Sequence, residues 1–214
     1  AVRAITYMAE RTGCEVLCEG VETEEEFYFA IDCGATLIQG FLFHPACEHF
    51  IAKKETQCKT KVYRQNFLSL KIHQEYEHIE AYKKNLQHVR DIQQFLNSAV
   101  NEDWLHVDTK LLLQVPANFI RFYICRRDGQ QLSPNYEYKN NEWHIDESYV
   151  GLNWSGRPYL YQVIAVDATL SKSEVCWRPY RDQASKNLCQ TIGVSLDEQS
   201  ILLVDYFCVP PFGV

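Results

Sequence analysis

Neither glycine nor proline occurs between Pro45 and Pro116. Seventy residues without either breaker exclude a turn-rich stretch there and predict helix. No apolar run approaches the roughly 18 residues that a membrane span requires; the most apolar tail, ILLVDYFCV, is interrupted by Asp205 and reads as a strand. No CxxC pair exists among the nine cysteines, so the spacings of a zinc site are missing. Cys14, Cys18 and Cys33 fall in or beside apolar runs, as reduced thiols used as small core residues would. Basic residues are outnumbered, 21 to 28, giving a net charge of −7. That disfavours nucleic acid, whose phosphates call for clustered Lys and Arg. No signal peptide is visible and the chain opens on Ala, so a fragment of a longer protein is expected. What is present, 46% hydrophobic and 13% aromatic residues in 214, suffices for one or two cores.

The charge is uneven. Residues 1–50 carry 2 basic and 9 acidic side chains, and residues 51–90 carry 9 and 4. A solvated helix face accounts for the basic stretch. Within the breaker-free run, Ile72, Ile79 and Leu86 repeat every seven residues, as do Leu68, Tyr82, Val89 and Leu96 with Glu75 as a gap. This seam predicts a long helix over 51–100, paired with a second copy or a neighbouring domain in preference to packing only on its own domain. His73, His78 and His88 do not share one face at metal spacing and read as exposed helix positions.

Residues 1–50 alternate helix (VRAITYMAERTG), strand (CEVLCE), helix (TEEEFYFAIDCG) and strand (ATLIQG), the pattern of parallel βα units. Thr23 with Glu26 forms a capping box, and Gly34 is a helix stop. Two such strands cannot close a sheet. Glu19 ends one strand and Gln39 the next, which places both at the C-terminal rim where parallel barrels carry their chemistry. A carboxylate there can hold a divalent metal or orient a water, and a carboxamide offers both donor and acceptor. From spacing alone, Glu19 and Glu22 read as turn caps.

The strings CEGVET and, further on, Gln39-Gly40 with FLFHP resemble the final two βα units of the EAL family, TIM-barrel phosphodiesterases that linearise cyclic di-GMP with Mg²⁺ or Mn²⁺. The resemblance covers roughly residues 1–52, with Cys18 and Phe41 as mild departures from AEGVET and a QGY-type motif. It implies that Glu19 belongs to the metal and water cluster, that Glu22 braces the active-site loop, and that Gln39 lies near the dinucleotide. The EAL tripeptide, a DDFG-like acidic pair and the upstream metal ligands of the family do not occur here. LKIH at 70–73 imitates the family's lysine strand but falls after the QG motif, inside the predicted helix, so Lys71 is a decoy. The resemblance therefore implies Mg or Mn in a complete EAL domain, none in these residues alone, and no activity for this stretch by itself.

Residues 101–214 change period. FYICRRDGQQL reads as a strand, an Asp128-Gly129 turn and a return; PYLYQVIAV reads as a helix with Pro in its first turn. EVCWRPY, NLCQTIGVSL and QSILLVDYFCV follow as strands, which predicts an α+β domain, one antiparallel sheet with helices on one side. NWSGRPYLYQ and WRPYRD each set Trp near Arg-Pro-Tyr, which suits a small anionic or amino-acid-like ligand if it is not ordinary core and turn. FYICRRDGQQLSPNY with NWSGRPYLYQ resembles the C-terminal domain of YkuI-type EAL proteins and, more widely, Cache domains of the PAS-like sensor group. The latter resemblance nominates Trp154, Arg157, Tyr159, Tyr180 and Asp205 as pocket residues.

The sequence thus describes an α/β fragment, the last βα units of a TIM-type EAL barrel (1–50), a long connecting helix (51–100) and a PAS/Cache-like α+β sensor domain (101–214). The expected function is the C-terminal regulatory portion of a cytoplasmic cyclic di-GMP signalling protein, as a homodimer without a membrane span. The alternative is a non-catalytic cyclic di-GMP-binding or scaffold protein whose PAS-like domain only dimerises.

Overall fold

The computed structural model describes residues 2–49, 51–98, 107–109, 115–170, 174–176, 179–182 and 185–208. They fall into two compact units, 1–77 and 78–214.

The first unit runs α1 (Val2–Thr12), β1 (Leu17–Cys18), α2 (Glu24–Asp32), β2 (Leu37–Ile38) and the first part of α3 (Lys53–Ser98). β1 and β2 are parallel, with Leu17 opposite Leu37 and Cys18 opposite Ile38. At the start of α2 the Glu26 amide donates to the Thr23 hydroxyl, and the Thr23 amide to the Glu26 carboxylate. That reciprocal cap holds the Glu26 carboxyl below its ordinary pKa through the Glu22 and Thr23 amides. Thr23→Ala is expected to cost about 1 kcal/mol, seen as a lower denaturant midpoint. Gly34 ends α2 at φ +91°, a left-handed conformation that disfavours a Cβ. α2 buries Phe27 and Ala30, with the Phe27 ring on Phe43 and on Tyr63 of α3. Leu17 and Leu37 remain exposed, as do Ile5 and Met8 of α1. Lys71 lies inside α3 and ion-pairs with Asp32, which also meets Arg3.

The second unit is a seven-stranded sheet: β3 (Phe119–Arg126), β4 (Asn135–Lys139), β5 (Glu142–Asp146), β6 (Glu174–Cys176), β7 (Tyr180–Arg181), β8 (Leu188–Ser195) and β9 (Ser200–Phe207). Its order is β5-β4-β3-β9-β8-β6, with β7 also on β8, and every pairing is antiparallel. Side chains alternate across a strand. Phe122 and Ile124 of β3 and Leu202, Val204 and Tyr206 of β9 pack with Val89, Ile92 and Leu96 of α3. Tyr123, Cys125, Ile201 and Leu203, from the intervening positions, pack instead with Tyr159, Leu160 and Val163 of α4 (Pro158–Leu170). The helices therefore cover both faces of the sheet, not one as expected, because β3 and β9 are apolar at successive positions and bury both sides. Gly193 of β8 makes the close approach of α4 possible: a Cβ there would come within 2.3 Å of the Val163 Cγ2. Gly193→Val is expected to lower stability by roughly 1–3 kcal/mol through overpacking, measured by chemical denaturation.

One further expectation is met in part and another is corrected. The heptad seam does not serve one purpose along its length. Val89 and Leu96 are buried against the chain's own sheet, with Tyr82 and Leu86 beside them, whereas Leu68, Ile72 and Ile79 are 58%, 46% and 41% exposed. His88 is not an exposed helix position. It is buried, with Phe119 edge-on at 5.2 Å and Nδ1 3.0 Å from the Tyr206 hydroxyl. All nine cysteines are free thiols; Cys33, Cys125 and Cys189 are buried, but Cys14 is exposed.

Candidate functional site

In the first unit the ends of β1 and β2 are knitted together. The Gln39 amide donates to the Cys18 carbonyl at 2.8 Å and the Val21 amide donates to the Gln39 carbonyl at 3.1 Å. Since Cys18 pairs with Ile38, Glu19 and Gln39 are the next residues in register at the same strand ends. Both are exposed, as is Glu22, whose amide donates to the Glu26 carboxylate at 2.7 Å. Gly40 follows Gln39 for a steric reason: a Cβ there would fall 1.9 Å from the Val21 carbonyl oxygen. Among the described residues no three His, Cys, Asp or Glu side chains gather into a group able to hold a cation. Glu19 does not by itself fit a divalent metal, which takes several oxygen ligands.

The second unit holds a cavity of about 80 Å³ on the α4 side of the sheet. Four of the five residues nominated from sequence line it: Trp154, Arg157, Tyr159 and Tyr180. Tyr159 and Tyr180 stack at 5.8 Å between ring centres, and the Tyr123 hydroxyl donates to that of Tyr159 at 3.3 Å. Trp154 is fixed by its indole N–H, which donates to the Gln131 side-chain carbonyl at 2.7 Å, and by Tyr149 stacked on its ring. The Arg157 guanidinium sits 5.7 Å over the Trp154 ring. This is a cation–π contact. Burial pushes the Tyr159 hydroxyl up to about 12, and that of Tyr123 well above its ordinary value.

Asp205, the fifth nominee, is fully buried beneath the lining. It accepts from Arg121 Nε at 2.8 Å, from the Thr191 hydroxyl at 2.7 Å and from the Tyr180 hydroxyl at 3.4 Å. Burial raises its carboxyl pKa against the pull of Arg121 and Thr191. Arg121 also reaches Asp182 at 2.6 Å and stands 3.9 Å from Glu137. Burial of Asp182 works to raise its carboxyl, but the Ser185 amide and Arg121 outweigh it and hold the group below the usual range. Arg121, Tyr123 and Asp182 were missed from sequence. The signal for Arg121 was a charge inside the apolar strand FIRFYICR, where only a paired charge is stable.

Comparison with known proteins places these features. The family model described as "EAL-domain associated signalling protein domain" matches residues 46–208, and the EAL domain model matches residues 1–46. Among curated proteins, the uncharacterized EAL-domain containing protein YkuI of Bacillus subtilis is 24% identical over 208 residues, 94% of this chain and 49% of that protein. The chain spans about half the length of that relative. The crystal structure of the Bacillus subtilis YkuI protein, in complex with the substrate c-di-GMP and calcium, superposes with a TM-score of 0.75. The identity is 24%, over 98% of this chain and 53% of the other. That likeness shows the fold: α/β, with a long helix and an antiparallel sheet. The ligand-binding domain of the Campylobacter jejuni chemoreceptor Tlp3 superposes at a TM-score of only 0.46 with 12% identity, covering 64% of this chain and 55% of that one, too loosely to carry a Cache assignment.

Proposed function

The chain belongs to the family of EAL-domain associated signalling protein domains, and from that membership we propose that it is the C-terminal regulatory portion of a cytoplasmic cyclic di-GMP signalling protein. One observation carries this: an EAL match that ends at residue 46, where the associated signalling domain begins. On this reading residues 2–46 supply the last βα units of a TIM-type barrel. The exposed Leu17 and Leu37 support it, since inside a barrel they would be covered by neighbouring elements. Glu19 would join ligands from other strands around Mg²⁺ or Mn²⁺, Glu22 would brace the loop, and Gln39 would face the dinucleotide.

The sheet unit acts as the sensor. Its cavity, at about 80 Å³, is far smaller than the several hundred Å³ of a drug-sized pocket. It suits a ligand of a few heavy atoms and excludes cyclic di-GMP itself. Coupling to α3 has a physical route within the unit. Asp205 lies under the cavity, and its neighbour Tyr206, on the opposite face, donates its hydroxyl to the Asn85 carbonyl of α3 at 3.0 Å. A ligand can shift α3 only by preferring one of two arrangements. Homodimer formation is part of the proposal, supported by the uncovered apolar stripe Leu68, Ile72 and Ile79.

The test is hydrolysis of cyclic di-GMP with Mn²⁺ by a chain carrying the complete EAL domain. Turnover that Glu19→Ala abolishes is expected. Binding without turnover would instead favour the non-catalytic scaffold reading, and neither binding nor turnover would overturn both.

A further inference from the structure

We propose that the exposed stripe of α3 between Cys58 and Glu75 pairs with the same stripe of a second copy, and that the two helices run antiparallel. This rests on the reading of the protein as a homodimer and adds the surface and the direction.

One side of α3 is already occupied within the first unit. The Tyr63 ring meets Phe27 of α2, the Phe67 ring meets Tyr28, and Lys71 ion-pairs with Asp32. Leu68 follows Phe67 and Ile72 follows Lys71, so each lies about 100° round the helix from a residue that faces α2. They are 58% and 46% exposed. Cys58, Lys61, Gln65, Leu68, Ile72 and Glu75 fall at alternating spacings of three and four, the pattern of a helix-pairing seam. All six are exposed, and all belong to the first unit.

Charge decides the direction. Two of the six seam positions are charged, Lys61 and Glu75. In a parallel pair every seam position meets its own copy, so Lys61 would face Lys61 and Glu75 would face Glu75. Like charges so placed repel. In an antiparallel pair that sets Leu68 on the second copy's Ile72, symmetry sets Ile72 on Leu68 and Gln65 opposite Glu75. Lys61 then lies four residues, about 6 Å of axial rise, from the position opposite Glu75. The lysine stem spans that gap, so each end of the seam gains a pair of opposite charge. The flanking sequence agrees. Residues 53–64 hold five basic and one acidic side chain, and residues 71–80 hold one basic and three acidic. The antiparallel arrangement brings these two stretches together; the parallel one sets each against itself.

The energetic test is sedimentation equilibrium on the chain carrying the complete EAL domain. Lys61→Glu is expected to raise the dimer dissociation constant about tenfold, because each dimer exchanges two attractions for two repulsions. Adding Glu75→Lys should recover most of the loss. In a parallel pair Lys61→Glu leaves like facing like and changes little. The geometric test is the double variant Gln65→Cys with Glu75→Cys, oxidised with diamide, the linked dimer being mapped by tryptic peptides. Trypsin cuts after Lys71 and so separates the two positions. A link from position 65 to position 75 of the other copy is expected. The native Cys58 is not expected to link to its own copy, since the antiparallel pair holds the two about 36 Å apart. Links of 65 to 65, 75 to 75 or Cys58 to Cys58 overturn the proposal and leave the homodimer. A dimer with neither link nor response to Lys61→Glu also overturns it, and assigns the stripe to the chain's own barrel. A monomer at every concentration overturns the homodimer reading as well.

Discussion

Asp205→Ala is expected to destabilise the sheet unit by roughly 3–5 kcal/mol, the range for removing one partner of a buried ion pair. The side chain is fully buried in the centre of β9, between β3 and β8. Its loss removes the acceptor of Arg121 Nε and of the Thr191 and Tyr180 hydroxyls, the last two keeping only their bond to each other at 3.0 Å. Arg121 keeps Asp182, so its charge is not left bare. The loss is therefore placed below that of an isolated buried guanidinium. Denaturant unfolding measures it as a lower midpoint. The double variant Arg121→Met with Asp205→Leu should recover only part of the loss, because it replaces the buried pair with apolar groups but leaves the buried Asp182 carboxylate without its guanidinium partner. If the single variant unfolds like the wild type, the network under the cavity does not hold the sheet together.

Acidification gives the second large effect, through His88. Tyr206 donates its hydroxyl to the Asn85 carbonyl, so its oxygen accepts the His88 Nδ1–H. Nε2 is then a buried lone pair with no hydrogen-bond partner. Protonating it would create a charge among the rings of Phe119 and Tyr206. Burial therefore pushes the His88 pKa from 6.5 down to about 4, with Asp91 on the same helix pulling weakly the other way. The unfolded chain then binds a proton below pH 6.5 that the folded chain refuses until about pH 4. Stability is intact above 6.5 and falls as pH drops through that window. Between pH 7.5 and 5 the loss is about 2 kcal/mol, at 1.36 kcal/mol for each unit below 6.5. Denaturation curves across this range should show it, and His88→Leu should flatten that segment of the profile. A wild type whose pH dependence matches that of His88→Leu would place the imidazole in contact with solvent.

The parts of this molecule that were legible in sequence are those written in local chemistry. The capping box at Thr23, the stop at Gly34, Pro158 opening α4 and the seventy-residue absence of breakers each state their own conformation. The placing of Glu19 and Gln39 at neighbouring ends of the parallel strands β1 and β2 followed from the strand pattern alone. His88 and the face count of the sheet were not legible, for a common reason. An imidazole on a polar helix has no local mark of burial, and β9 reads apolar at consecutive positions whether one face or two are covered. Both were settled by which sheet face met α3, a tertiary fact. The same holds for the cavity. Trp154, Arg157, Tyr159 and Tyr180 were nominated through the resemblance to Cache domains, but Arg121 and Asp182, 61 positions apart in sequence, are joined only by the fold.

On the proposed function, the sheet unit governs the EAL barrel through α3. Cyclic di-GMP turnover by the complete protein tests it most directly, comparing the wild type with Trp154→Ala in the cavity and Tyr206→Phe at the helix contact, each verified as folded by circular dichroism. Both variants are expected to change turnover by about fivefold or more, the lower bound of an allosteric coupling. Active enzyme with identical turnover in all three proteins would contradict the claim and leave the sheet unit as a passive attachment.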